Sequence, residues 1–186
     1  MKLVKQLFYM IAFSTLVLSS SFSPTQEPVK INWLTWEEAA KIIESGNNSK
    51  KVFVDVYTDW CGWCKRMDRD TFNHPDVAKY MNENYLMVKL DAHQKEDILY
   101  KGTTFKLQEA QPGQRGYHEL AIALLNGKMS FPTVIFLNEK LEILTPIASY
   151  LKPDIFYKIA SFYGENEFED KSWEDYSKTA KVPFGK

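Results

Sequence analysis

The sequence predicts an α/β domain, a central mixed β-sheet flanked by helices, and four observations predict it. Val52–Tyr57 is a near-continuous run of β-branched and aromatic residues broken by one acid, Asp55, as in an interior strand covered on both faces. Within a few residues the chain passes into Cys64-Lys65-Arg66-Met67, residue types that favour helix. Leu86–Asp91 then forms a second strand, and a strand–helix–strand unit joins parallel neighbours by a right-handed crossover. Val134–Leu137 and Leu141–Ile147, by contrast, are joined only by Asn138-Glu139-Lys140 and should pair antiparallel.

Taken in order, residues 1–23 read as an export signal. Lys2 and Lys5 give a positive start, Leu7–Leu18 is mostly apolar, and Ser19-Ser20-Ser21-Phe22-Ser23 offers small residues for cleavage. The apolar run falls short of the roughly 20 residues a membrane span needs. Export implies a compartment that permits disulfides, so a periplasmic or extracellular location is expected. Residues 24–29 form a linker, and residues 30–164 one domain, within the usual range of about 100–200 residues.

Ile31-Asn32-Trp33 is a short first strand. Thr35 and Glu38 form a capping box that starts a helix running to Glu44, with Gly46 as its stop. Asn47-Asn48-Ser49 fits both a glycosylation sequon and an ordinary turn, and the turn is preferred. After the first long strand, helix is expected over Lys65–Phe72, then a break at His74-Pro75, then helix again over Asp76–Asn84. Residues 92–116 read as an insertion ahead of the next core strand. Leu99, Phe105 and Leu107 point to some helix there, interrupted by Gly102, Pro112 and Gly113. Such a connection is either a surface elaboration or a substrate-facing segment. Tyr117–Leu125 is an amphipathic helix ended by Asn126-Gly127. Pro132 stands at a strand start, where a missing ladder donor is tolerated. The last apolar helix spans Ile155–Tyr163, and residues 165–186 form a polar extension in which Trp173 and Tyr176 can dock one more turn.

Net charge is −1 with no basic block, so no nucleic-acid footprint is present. The two cysteines, Cys61 and Cys64, are the whole thiol inventory. A bridge across so small a loop removes little chain entropy, so a purely structural role would be a poor use of it. A zinc site would need a second ligand pair, and His74, His93 and His118 do not supply one at ligand spacing.

If Cys61 opens a helix, Cys64 lies almost one turn on, within reach for a reversible disulfide. Orphan N–H groups and the positive end of the helix dipole stabilise a thiolate at Cys61, and thiols so placed ionise at roughly pH 3.5–7.5 instead of about 8.5. Cys61 is the expected attacking sulfur and Cys64 the resolving one.

Asp55, Trp60, Cys61, Gly62, Cys64 and Lys65 resemble the thioredoxin superfamily motif, with Trp63 where that motif usually carries Pro. Thr71-Phe72 and Pro75-Asp76-Val77 are more specifically similar to secreted thioredoxin-like domains, such as the C-terminal domain of the bacterial thiol–disulfide interchange reductase. The resemblance covers roughly residues 30–163 and implies a thioredoxin fold. It implies that Pro132 is cis and faces the cysteine pair, flanked by Phe131 and Thr133. Trp60 and Trp63 border the cysteines, where exposed aromatics suit an extended polypeptide, although Trp60 equally suits packing under the cysteine loop. Asp55, on an apolar strand, is then the acid that accepts the Cys64 proton. Aligning the family's second strand on Asp91 puts Met87 at its usual lysine position, with Lys89 two residues on, so a weaker proton relay is expected.

These readings combine into an exported thiol–disulfide oxidoreductase, a reductase or isomerase more than an oxidase on the resemblance. Its partners are protein thiol or disulfide substrates and an upstream dithiol electron donor. The exchange needs no bound cofactor and no metal. The alternative is a non-catalytic client-binding module on the same fold.

Overall fold

Among the described residues, seven strands and six α-helices follow one another as β1 (Trp33–Leu34), α1 (Trp36–Glu44), β2 (Lys51–Tyr57), α2 (Gly62–Met67), α3 (Pro75–Asn84), β3 (Tyr85–Asp91), β4 (Ile98–Tyr100), β5 (Thr103–Phe105), α4 (Glu119–Leu124), β6 (Thr133–Leu137), β7 (Ile143–Ile147), α5 (Pro153–Gly164) and α6 (Trp173–Thr179). The computed structural model describes residues 29–110 and 113–184. The expected export signal over 1–23, and the linker over 24–29 save its last residue, lie outside the described residues. Among the described residues no helix is long and apolar enough to cross a membrane.

The main sheet has the order β1-β3-β2-β6-β7. β3 runs parallel to both β1 and β2, and β6 runs antiparallel to β2 and β7. The sheet is mixed, as the crossover and turn lengths require. Pleat alternation divides β2 between two cores. Phe53 points to the layer of α2, α3 and α5, where it meets Met67, Val77 and Phe156. Val52, Val54 and Val56 point to the layer of α1 and α4, against Trp36 and Leu120. Asp55 shares the Phe53 face, beneath α2.

Several boundaries differ from the sequence expectation, each for a local reason. β1 begins at Trp33 rather than Ile31 because the Asn82 amide holds that backbone: it accepts from Asn32 N–H at 2.9 Å and donates to Lys30 O at 2.8 Å. Thr35 and Glu38 form the expected capping box, and Gly46 takes φ 71° just past α1. The helix expected over Lys65–Phe72 is α only to Met67, and Asp68–Phe72 is one π-helical turn. That turn is tied down by Thr71, whose buried hydroxyl donates to Leu151 O at 2.7 Å, and by Phe72 in the core.

The insertion contains no helix among its described residues. Lys101 and Gly102, both at positive φ, make a two-residue turn between β4 and β5, as a tight hairpin demands. Ile98 is buried and Tyr100 packs edge-on against Trp36, so the hairpin covers the α1 side. The helix expected from Tyr117 starts at Glu119, because the buried His118 caps it with its ring and pairs its own N–H with Ala92 O. β7 starts two residues late because Leu141 sits at φ 64° in the turn. In the C-terminal extension α6 docks on α5: Tyr176 Oη donates to Ser161 Oγ at 2.8 Å, and Trp173 meets Phe162 edge-on.

Candidate functional site

Cys61 is the N-cap of α2, and Cys64 lies inside its first turn. The two are joined by a disulfide with Cα atoms 5.3 Å apart. The Cys64 N–H donates to Cys61 Sγ at 3.0 Å. That is the orphan donor of a helix start aimed at the sulfur, and it stabilises negative charge there whenever the pair is open. The first turn carries no acid to oppose it, and Lys65 and Arg66 follow. Both cysteines are nearly covered, Cys61 at 5% and Cys64 at 3% exposure.

Two clefts are lined by Trp63 and Trp60, the residues next to the cysteines in the chain. One, of about 390 Å³, is lined by Trp63, Ser130, Phe131, Pro132, Ser149 and Tyr150 among others. Pro132 follows a cis bond from Phe131. Thr133 does not line this cleft: it is buried, and its hydroxyl donates to Ser130 O at 2.7 Å, bracing the loop. The second, of about 460 Å³, is lined by Trp60, His93, Gln114, Arg115 and Tyr117, and so is built largely by the insertion and the residues flanking it. Trp60 and Trp63 are both about half exposed, at 52% and 54%. Trp60 meets Phe131 edge-on with ring centres 5.9 Å apart, and Trp63 leans on Tyr150 with Arg66 over its ring.

His93, to which sequence reasoning gave no role, positions Trp60. Trp60 Nε1–H donates to His93 Nε2 at 3.0 Å, and His93 Nδ1 lies 2.6 Å from Gly116 O. Nε2 therefore accepts, which puts the ring hydrogen on Nδ1 and makes this the neutral tautomer. Tyr117 stacks on the other side of the imidazole. Gly116 is required here, because a Cβ would sit 1.9 Å from Gln108 O. Arg115 reaches Asp59, beside Trp60, at 2.9 Å. No local motif marks these contacts; they arise because the insertion folds back on the cysteine loop.

Beneath α2, Asp55 is 2% exposed. The expected displacement of the lysine is corrected by the strand register. Counting back from Asp91 misplaces it by two, whereas parallel pairing sets Lys51 against Tyr85 and Asp55 directly against Lys89. Lys89 Nζ lies 3.5 Å from Asp55 Oδ2. Burial pushes the Asp55 carboxyl up from 3.8 to about 7; Lys89 pulls it down, and nearby Asp68 pushes it up again. Its Oδ1 has no hydrogen-bond partner among the described residues.

A raised carboxyl pKa means the folded state holds a proton that the unfolded chain has lost. Stability therefore falls as pH rises from about 4 to about 7 and levels off above. Asp55→Asn should remove this penalty. Its gain over wild type should be near zero at pH 4 and grow towards about 4 kcal/mol by pH 8, at roughly 1.4 kcal/mol per pH unit. Urea unfolding across that range measures it, and a difference independent of pH would rule out the buried titration.

Among the described residues no group of three or more His, Cys, Asp or Glu side chains stands close enough to hold a metal ion.

Comparison with known proteins places this arrangement in a family. A family model described as Thioredox_DsbH, protein of unknown function (DUF255), matches residues 17–179. The chain is 25% identical to uncharacterized protein B0495.5 of Caenorhabditis elegans over 124 residues, 67% of this chain and 14% of that protein. It is 32% identical to the thiol:disulfide interchange protein DsbD of Photorhabdus laumondii over 69 residues, 36% of this chain and 12% of that protein. The matched stretches thus span a small fraction of these relatives' length. Among solved structures, a thioredoxin-fold protein from Helicobacter pylori superimposes with a TM-score of 0.52 at 17% identity, covering 70% of this chain and 80% of that one. The fold is the thioredoxin fold.

Proposed function

The chain belongs to the Thioredox_DsbH family, and we propose that it is an exported thiol–disulfide oxidoreductase, acting on protein substrates as a reductase or isomerase. The observation that carries this reading is the Cys61–Cys64 pair at the start of α2, with Cys64 N–H on Cys61 Sγ and with the clefts lined by Trp63 and Trp60.

The cycle starts from the dithiol. Cys61 thiolate attacks one sulfur of a substrate disulfide, forming a mixed disulfide and releasing the other sulfur as a thiolate. Cys64 then gives its proton to Asp55 and attacks Cys61 Sγ. That closes the Cys61–Cys64 bond, releases the second substrate sulfur, and leaves the substrate reduced by two electrons. An acceptor titrating near neutrality suits this proton transfer. An upstream dithiol reopens the pair, so the exchange requires no bound cofactor. Trp63 with Phe131 and Pro132 in one cleft, and Trp60 in the other, would hold an extended polypeptide, since exposed aromatic faces suit that contact. Export rests on residues 1–23 of the sequence.

The test is turbidimetric insulin reduction by dithiothreitol. The full chain should shorten the lag several-fold over dithiothreitol alone at micromolar protein, and a lag equal to the blank would reject the reading. A client-binding module without turnover is the second reading, supported by the half-exposed Trp60 and Trp63.

A further inference from the structure

We propose that Asp68 is a positioning residue for the redox centre: by sharing Lys89 with the buried Asp55, it keeps Asp55 able to hold a proton at neutral pH. The inference rests on the reading of Asp55 as acceptor of the Cys64 proton.

Asp68 lies four residues beyond Cys64 in the chain, so it shares the face of α2 that covers Asp55 and Lys89. It caps α2 and begins the π-helical turn. Its neighbours Arg66 and Arg69 both pair with Asp70, which leaves Asp68 to Lys89. Lys89 Nζ donates to Asp68 Oδ1 and stands 3.5 Å from Asp55 Oδ2. The ammonium is also held over the rings of Trp33 and Tyr57, at 4.8 and 5.1 Å from their centres, so it is fixed between the two carboxyls.

Charge balance then decides which acid keeps the proton. One cation faces two carboxyls, and a neutral cluster requires one of them to be protonated. Asp68 is about one-third exposed and keeps its solvation, whereas Asp55 is buried and loses it. A proton that the cluster takes up, such as the one Cys64 releases, therefore goes to Asp55 rather than to Asp68. Without Asp68, Lys89 would face Asp55 alone and draw its carboxyl further down against the dominant effect of burial, so Asp55 would hold the Cys64 proton less tightly. The other groups around the cluster act in the same sense or not at all. Tyr57 faces Asp91 and Asp59 as well as this cluster, and β6 contributes only Val134 opposite Asp55.

The experiment is a carbon-detected NMR titration of the Asp55 carboxyl in the full chain. It is run on the disulfide form, where neither thiol titrates, with the signal assigned by its loss in Asp55→Asn. In Asp68→Asn, Asp55 should titrate lower than in wild type by about one pH unit or more, because a repelling charge is removed and Lys89 is freed to pair with it. Asp68→Glu, which keeps the charge, should restore most of the wild-type value. An Asp55 titration unmoved by Asp68→Asn, or moved equally by Asn and Glu, overturns the proposal. Failure of the underlying reading looks different. Mixed-disulfide resolution would then run at the wild-type rate in Asp55→Asn, whatever the NMR titration showed.

Discussion

Cys61→Ser is expected to reduce insulin reduction to the rate without protein, while Cys64→Ser should leave a covalent mixed disulfide with about one substrate chain per molecule. The asymmetry follows from the geometry. Only Cys61 receives a helix-start N–H on its sulfur, at 3.0 Å from Cys64 N, so only its charged form is stabilised. A serine hydroxyl in its place does not ionise near neutral pH and cannot form a stable bond to a substrate sulfur. With Cys64 replaced, attack still occurs but nothing one turn away can cleave the product. Non-reducing gels with and without dithiothreitol, followed by mass spectrometry of the adduct, measure both outcomes. Trapping by Cys61→Ser in place of Cys64→Ser would reverse the assignment. Client retention untouched by either variant, together with an unchanged lag, would favour the client-binding module.

The second large effect is on stability. Phe53→Ala is expected to cost about 3–5 kcal/mol, the range for truncating a buried aromatic ring. Phe53 is fully buried in the central strand and meets Phe72, Phe136 and Phe156 edge-on, with ring centres 5.2–5.8 Å apart. Those contacts join the sheet to α5 and to the π-helical turn, so the cavity cannot close without moving the segment that carries Asp68. A domain of this size has only about 5–15 kcal/mol in hand, so the variant should be marginal at 37 °C. Urea midpoints at unchanged slope give the number. A loss below about 1 kcal/mol would mean that the neighbouring rings refill the space.

The legible parts of the site share one property: their chemistry lies within a few residues of contiguous chain. The place of Cys61 at a helix start, with Cys64 almost one turn on, follows from a strand running into a helix. Thr35 with Glu38, Pro153 and the Asn138 turn are likewise short-range devices that neighbours in the chain complete. The insertion was misread for the converse reason. Apolar spacing at Leu99, Phe105 and Leu107 resembles a helix, but Lys101 and Gly102 turn the chain back and bury Ile98 against the α1 side instead. Lys89 was named but set two residues out of line, because strand register depends on where pairing starts, at Lys51 and Tyr85, and no single strand records that. His93, Arg115 and Asp68 carried no signal, since their partners lie from 21 to 56 positions away.

The amino-acid sequence alone determined the fold class and a pair of cysteines at a strand-to-helix junction, with one acid on the preceding strand, because hydrophobic period and helix capping act over a turn or a strand. Only the tertiary structure decided how that acid is charged and what stands beside the sulfurs. A proton's affinity for a buried carboxyl depends on burial and on charges brought from other strands and helices, and neither exists until the sheet has paired and α2 has closed over it.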